Sequence, residues 1–555
     1  MQTVRRLYIY LLSGITLGFL VFGLITLLQV ILAQLGVGQG TLIGPEGDDW
    51  ARQQLSLAAA LIGVGLPVWG IHWWLAERSL DPKRPNAEDE RGSTIRALYL
   101  TVVLVVLLGF GAFAARDLVR EIVSGLLPQA PDYYGSAPAA SLATLLVTAA
   151  AWGYHVAVRR RDMGRGPLEG AAVWLPRVYV YGAALVALLI TLQTLGDVAR
   201  YAGETLWPPA ADPNVDNYRS YGLADSLSLF VVWAFAWLGH WWYAGRLVSA
   251  SGWRAAGERG ARLRLAFFVA VILAGAFSVV RLAGEALRAI LVPVFGATDA
   301  IGDDLDGTDL LRAVAIALVS AVPWAVAWWL HQRRMHEEAL QADDPSRAVV
   351  ATRLDLHAVA LVGLAFAAVS TGWLVGLLID VLLGGSRMVS GSGFWRAELA
   401  NFVPYAILGW IAWAWTWRQA AVRQAADPMA EAGSMVRRSF LMIVLAASIV
   451  SGLGSLAVVL YRLFGSLLGA NLSGNSVSEL STPLGALIVA VAVALYHGLA
   501  IRRDLGLRAT AAPVPAEPVA AQRRLVLSGP PGSDLDGTLE ALRSGLPADY
   551  RLDED

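Results

Sequence analysis

The sequence predicts an all-α integral membrane protein: twelve transmembrane helices as six tandem parallel hairpins, followed by a short cytoplasmic tail. Three observations predict it. Of 555 residues, 56 % are hydrophobic and only 16 % charged, with a mean hydropathy of +0.54. A soluble chain of this length carries about 25 % charge. Apolar runs of membrane-spanning length follow one another along the chain, and in lipid such runs must be helical, because no water pairs exposed backbone groups. An aromatic, mostly tryptophan-rich ending closed by arginine occurs six times.

That ending is Trp69-Gly70-Ile71-His72-Trp73-Trp74 before Arg78, then Trp152-Gly153-Tyr154-His155 before Arg159. It continues as Trp237 to Trp242 before Arg246, Trp324 to Trp329 before Arg333, Trp410 to Trp413 before Arg418, and Tyr496-His497 before Arg502. With His72, His155, His240, Ala327, Ala412 and His497 taken as equivalent, the spacings are 83, 85, 87, 85 and 85. The units are then 1–90, 91–170, 171–258, 259–348, 349–432 and 433–508, with a tail at 509–555. Tandem units of this kind bury their packing faces on their neighbours.

The twelve runs lie near 7–35, 54–76, 97–127, 139–158, 177–206, 223–245, 263–295, 309–331, 355–384, 399–418, 439–469 and 483–501. The first is too long for the apolar core of a signal peptide and has no clear cleavage site after it. Segments after even-numbered runs are arginine-rich, for example Arg159, Arg160 and Arg161, or Arg502 and Arg503; those after odd-numbered runs are not. The positive-inside rule therefore places both termini in the cytoplasm. The hairpins are expected to close into a ring or a curved wall. Gly14, Gly18 and Gly23, Gly63 with Gly70, and Gly452 with Gly454 are expected to permit close helix packing. In the tail, a β-α-β fragment is expected: strands at Arg524–Leu527 and Asp549–Leu552 around an amphipathic helix from Asp534 to Ser544, capped by Ser533 or Asp534.

Candidate chemistry is sparse. The chain has no cysteine, which excludes disulfides and thiolate sites, and Lys83 is its only lysine. Odd helices carry Arg116, Asp117, Arg120 and Glu121; Asp197, Arg200 and Glu204; and Arg281, Glu285 and Arg288. Spacings of three and four let opposite charges pair on one face, and charge inside a membrane is a functional signal by default. Against that, Arg116 lies about 26 Å along its helix from Tyr99, so these groups belong near the outer interface. The cytoplasmic-side set is Trp69, His72, Trp73, Trp74, His155, Trp237, His240, Trp241, Trp328, Trp329 and His497. An interfacial aromatic belt explains it, since amphipathic rings collect at headgroup depth; a quinone or lipid pocket and haem ligation are the alternatives. Asp303, Asp304, Asp306 and Asp309 form a weak calcium-like acidic loop, better read as solvated.

No nucleophile elbow, zinc-protease or nucleotide-binding motif is present. The sequence is accordingly expected to have no enzymatic activity, no cofactor and no nucleic-acid partner. The expected function is a membrane scaffold, or a protein interacting with membrane lipids and with a partner or second copy through its tail. A transporter or channel using the charges of helices 3, 5 and 7 is the alternative, and a haem- or quinone-binding subunit the remote one.

Arg5-Arg6-Leu7-Tyr8-Ile9-Tyr10, echoed by Arg177-Val178-Tyr179-Val180-Tyr181, resembles the repeat opening of a bacterial membrane-protein family catalogued as a domain of unknown function, DUF5671. The resemblance covers about residues 1–505 and implies a location in the bacterial inner membrane, with no activity attached. Leu265-Ala266-Phe267-Phe268, Leu356-His357 and Phe440-Leu441 depart from the Tyr-x-Tyr form.

Overall fold

A computed structural model describes residues 2–37, 45–127, 138–165, 170–207, 213–249, 261–297, 307–341, 346–383, 394–468, 476–510 and 534–545, with Leu168 and Glu258 as isolated positions. The described residues form helices and their connections. In order these are α1 (Gln2–Gln34), α2 (Pro45–Arg78), α3 (Ala87–Arg91), α4 (Thr94–Leu126), α5 (Pro138–Gly164), α6 (Ala171–Leu206) and α7 (Pro213–Ser249). They continue as α8 (Arg262–Val294), α9 (Gly307–Leu340), α10 (Ser346–Leu383), α11 (Phe394–Ala426), α12 (Pro428–Gly433), α13 (Met435–Leu467), α14 (Ser476–Thr510) and α15 (Leu535–Gly545). Proline opens α2, α5 and α7, where its fixed φ suits the first turn and its missing N–H is not needed.

Eleven of the described helices are long and apolar enough to cross a membrane, which makes this a membrane protein. The remaining expected span falls on α11, as long as the others but with its apolar stretch from Leu399 to Thr416 diluted by Asn401, Pro404, Tyr405 and three tryptophans. The long helices pack in consecutive pairs, α1 on α2, α4 on α5, α6 on α7, α8 on α9, α10 on α11 and α13 on α14. These pairs join into four-helix units: α1, α2, α4 and α5; α6 to α9; and α10, α11, α13 and α14. The joint between units is the same twice over, α4 lying on α6 and α7, and α8 on α10 and α11.

The largest core cluster lies in the middle unit and its borders, around Leu188, Ile272, Phe267, Phe268 and Val359. Half of the apolar segment of α4 or α6 is buried against protein, but only 6 % of that of α13 and 11 % of that of α2. The described units thus stand in a row with α2 and α13 facing outward at its ends, and no extensive packing joins the first unit to the third.

The glycines divide differently from expectation. Added Cβ atoms at Gly18, Gly63, Gly70 or Gly454 would meet nothing, so these positions hold no helix against another. Close approach occurs at Gly23, as expected, and also at Gly65, where a Cβ would lie 2.8 Å from the backbone nitrogen of Leu20. It recurs between α10 and α11, where a Cβ on Gly363 would lie 2.6 Å from the nitrogen of Trp413. In the tail, the Asp534 carboxylate accepts a hydrogen bond from the Gly537 N–H at 2.8 Å and caps α15. The two strands expected around it lie outside the described residues, as do Asp303, Asp304 and Asp306; Asp309 falls in the first turn of α9.

Candidate functional site

The most deeply buried charges are three arginines that open the third helix of each unit: Arg96, Arg264 and Arg437, between 1 % and 2 % exposed. They recur at spacings of 168 and 173, twice the period of the tryptophan ending. In the first unit, Arg96 Nε donates to Asp162 Oδ2 at 2.8 Å, Nη2 to Glu77 Oε1 at 2.9 Å and Nη1 to the Tyr10 hydroxyl at 3.1 Å. In the second, Arg264 grips Glu338 with two bonds of 2.7 and 2.6 Å and donates to Tyr181 at 3.1 Å. In the third, Arg437 donates to Asp504 Oδ2 at 2.8 Å and to Gln424 Oε1 at 3.0 Å.

A second ion pair stands beside each arginine. Arg6 holds Glu90 at 2.8 Å, Arg177 holds Glu258 at 2.8 Å, and Arg353 holds Glu431 at 2.9 Å. In the first two units the tyrosine hydroxyl joins the two pairs: it accepts from the buried arginine and donates to the glutamate, at 3.3 Å for Tyr10 and 2.7 Å for Tyr181. His357 occupies this place in the third unit and packs on Phe440. Each guanidinium also lies over an indole ring: Arg96 over Trp73 at 5.5 Å, Arg264 over Trp241 at 5.2 Å and Arg437 over Trp417 at 5.4 Å. Charge buried this far is tolerable only when paired and fully hydrogen-bonded, and these networks supply both.

The tryptophan endings therefore have two faces. Trp73 and Trp241 point inward onto buried arginines. Trp74, Trp242 and Trp329 are more than half exposed and carry Arg78, Arg246 and Arg333 over their rings at 4.9, 4.9 and 5.7 Å. Each of these outward pairs is an i, i+4 cation–π contact, the form an interfacial anchor takes. Trp69 stacks on Trp73. The indole nitrogens of Trp69, Trp237 and Trp328 are buried without a hydrogen-bond partner.

Three of the four histidines of the endings are buried between helices, and His72 is part-exposed against Tyr8. His155 and His497 are 1 % exposed, and His240 is 9 % exposed. In His72, His155, His240, His331, His357 and His497, Nδ1 lies 2.7 to 2.9 Å from the carbonyl four residues earlier. A carbonyl can only accept, so Nδ1 carries the proton and Nε2 is an acceptor. His155 Nε2 meets the Tyr99 hydroxyl at 3.3 Å, and His240 Nε2 that of Tyr179 at 3.1 Å. Those of His331, His357 and His497 meet no partner. The equivalence drawn from sequence is one helical turn off in the middle unit: His331, not Ala327, corresponds to His155 and His497. His331 lies 5.3 Å from Trp241, as His155 lies 5.8 Å from Trp73 and His497 5.6 Å from Trp417. A four-residue offset keeps a residue on the same face of a helix, so periodicity does not detect it.

The charges of the odd helices are placed apart from these networks and in pairs. Arg116 Nη1 donates to Asp117 at 2.7 Å and Nη2 pairs with Asp225 on α7; Arg120 reaches Tyr221 at 3.4 Å. Arg200 lies 3.9 Å from Asp197, and Glu204 3.9 Å from Arg219. Arg281 pairs with Glu285, and Arg288 donates to the Asn401 side chain at 2.7 Å. Glu121 is exposed. No cluster of three or more metal-ligating side chains occurs among the described residues.

Three of the cavities repeat with the units, each between the first and third helices of its unit and reaching the fourth. The first, about 740 Å³, is bounded by Gly14, Gly18, Tyr99, Phe110 and Thr148. The second, about 740 Å³, meets Trp324 where the first has Thr148, and the third, about 300 Å³, meets Ala490 there. All are apolar, and none is lined by the paired charges of α4, α6 and α8.

The arginine networks were not singled out from sequence. The signal available was His-x6-Asp/Glu, at His155 and Asp162, His331 and Glu338, and His497 and Asp504. Seven residues are two helical turns, which places each acid on the face of its histidine.

No curated protein and no solved structure matches the chain. The family model described as domain of unknown function DUF5671 matches three times, over residues 6–154, 177–308 and 353–497. Those matches begin at or beside Arg6, Arg177 and Arg353, the outer arginines of the three networks. With most of its length matched in three successive copies, the chain belongs to the DUF5671 family.

Proposed function

We propose that this protein is a non-enzymatic scaffold of the bacterial inner membrane that interacts with lipids and, through its tail, with a partner or a second copy. In this reading α11 is a twelfth span and the six helix pairs are parallel hairpins. Arginine-rich connections such as Arg159 to Arg161 put both termini in the cytoplasm. The observation that carries the reading is the use made of the polar residues. The deepest cations are fixed in three repeated networks, the outer charges pair with near neighbours, and the cavities within the three units are apolar. A transport path along α4, α6 and α8 needs their charges to converge on a cavity, and these charges pair locally instead.

Because the chain has no cysteine, single cysteines report topology on a clean background. Cysteine at Asp81 or Asp427 is expected to react only from the cytoplasmic side, and cysteine at Leu206 or Leu126 only from outside. Reaction of both sets from one side refutes the hairpin topology. Transport along the charges of α4, α6 and α8 is the competing reading. Ion flux in reconstituted vesicles that Arg120→Gln or Glu285→Gln abolishes would replace the scaffold reading with it. A Soret band in the purified protein would do the same for haem.

A further inference from the structure

A fourth cavity lies between the first two units, where α4 and α5 meet α6 and α7, with a volume of about 490 Å³. Its walls are apolar, formed by Leu107, Leu108, Ala112, Leu145, Val232 and Phe235. One end is different: Arg159, Arg160, Tyr179, His240 and Tyr243 meet there. Arg159 lies over the Tyr179 ring at 5.6 Å and Arg160 over the Tyr243 ring at 5.8 Å. No carboxylate lines the cavity. Glu258, the carboxylate whose charge reaches Arg159, is already held by Arg177 at 2.8 Å and Tyr181 at 2.7 Å. Arg159 Nε is buried and has no hydrogen-bond partner.

The joint between the second and third units is an internal control, because the same helices meet there. Its equivalent of Arg159 is Met335, four residues after His331 as Arg159 is four after His155. Met335 is 2 % exposed. Its equivalent of Tyr179 is Asp355, two residues after Arg353 as Tyr179 is two after Arg177. Asp355 accepts from Gln332 at 2.6 Å and lies 3.9 Å from His336, the counterpart of Arg160. That joint supplies its own carboxylate and omits the buried cation. The first joint keeps the cation and supplies no anion.

We infer that the groove between α4, α5, α6 and α7 binds one anionic phospholipid, its phosphate on Arg159 and Arg160 and one acyl chain along the wall toward Leu145. The inference rests on the membrane reading above. From Arg159 to Leu145 is about 21 Å of helix, enough to line the roughly 15 Å of one leaflet. The arginine end is the cytoplasmic end, where anionic headgroups concentrate and basic pockets between helices receive them. A planar guanidinium with free N–H groups matches phosphate oxygens in geometry and charge, and desolvation at the joint strengthens that bond.

The test uses the full chain, extracted in detergent from alkali-washed membranes. It is titrated with phosphatidylglycerol, phosphatidylcholine or glycerol 3-phosphate, reading thermal stability and retained lipid by native mass spectrometry. Phosphatidylglycerol is expected to bind about tenfold or more tightly than phosphatidylcholine, whose phosphate carries a trimethylammonium that the two guanidiniums repel and no carboxylate of the cavity offsets. Arg159→Met, which copies the second joint, is expected to erase that preference, and Arg159→Lys to keep part of it. Arg160→Ala, at an exposed position, reduces it severalfold and serves if Arg159→Met does not fold. Equal binding of the two lipids, or an unchanged preference in Arg159→Met, overturns the inference. Glycerol 3-phosphate binding as well as the lipid replaces the lipid with a soluble anion. A chain released by the alkaline wash fails the membrane reading itself, whereas an embedded chain indifferent to headgroup charge fails only the lipid site.

Discussion

Replacing Glu338 by glutamine or alanine isolates the contribution of one buried network. Glu338 is 8 % exposed and takes both bonds, 2.7 and 2.6 Å, from an arginine that is itself 1 % exposed. Without it, Arg264 keeps one bond to Tyr181 and the face of Trp241, and its charge stays buried and unbalanced. Breaking a buried pair from one side costs about 3–5 kcal/mol. Arg334, half-exposed, also loses its 2.9 Å bond to Glu338, which adds well under about 1 kcal/mol. The expected loss for Glu338→Ala is thus about 3–5 kcal/mol, and somewhat less for glutamine, which can still accept one bond. Removing both partners, as Arg264→Met with Glu338→Met, restores most of the loss, because a matched apolar pair is often neutral beside a buried ion pair. Equilibrium unfolding in mixed detergent across the double-mutant cycle measures both quantities. A single-variant loss below about 1 kcal/mol, or a double variant no better than the worse single one, refutes the claim that these networks stabilise the units as paired charge.

Gly363→Ala, at the close crossing of α10 and α11, is expected to lose about 1–3 kcal/mol in the same assay, while Gly18→Ala stays within about 0.5 kcal/mol because its Cβ meets open space. His497→Phe is expected to change stability by less than about 1 kcal/mol, since Nε2 has no partner to lose, whereas His240→Phe takes from Tyr179 a 3.1 Å partner and costs about 1 kcal/mol more. Asp225→Asn is expected to cost no more than about 1 kcal/mol, because its pair with Arg116 is only part-buried, and added salt reduces the difference.

Much of this protein was legible in the sequence because lipid leaves so little choice. Apolar runs of spanning length must be helical in a bilayer, so composition alone fixes the class and nearly the number of long helices. The tryptophan endings marked a repeat. The motifs Arg5 to Tyr10 and Arg177 to Tyr181 pointed to the family whose model matches three times, and those matches open at Arg6, Arg177 and Arg353, the outer arginines of the buried networks.

What the sequence did not decide is which face of each ending looks inward. Trp73 and Trp74 are neighbours in sequence and about 100° apart around a helix, and only packing sends one to Arg96 and the other outward beside Arg78. The partners of Arg96 come from α1, α2 and α5, and those of Arg264 from α6 and α9, at separations of 19 to 86 residues that no local pattern reports. The same is true of Arg159. Its sequence neighbourhood is that of any arginine closing a tryptophan ending, and the unpaired state of its Nε is seen only where two units meet. The bilayer sets helix and depth residue by residue. Pairing depends on rotation and neighbour, and these are settled when the helices pack.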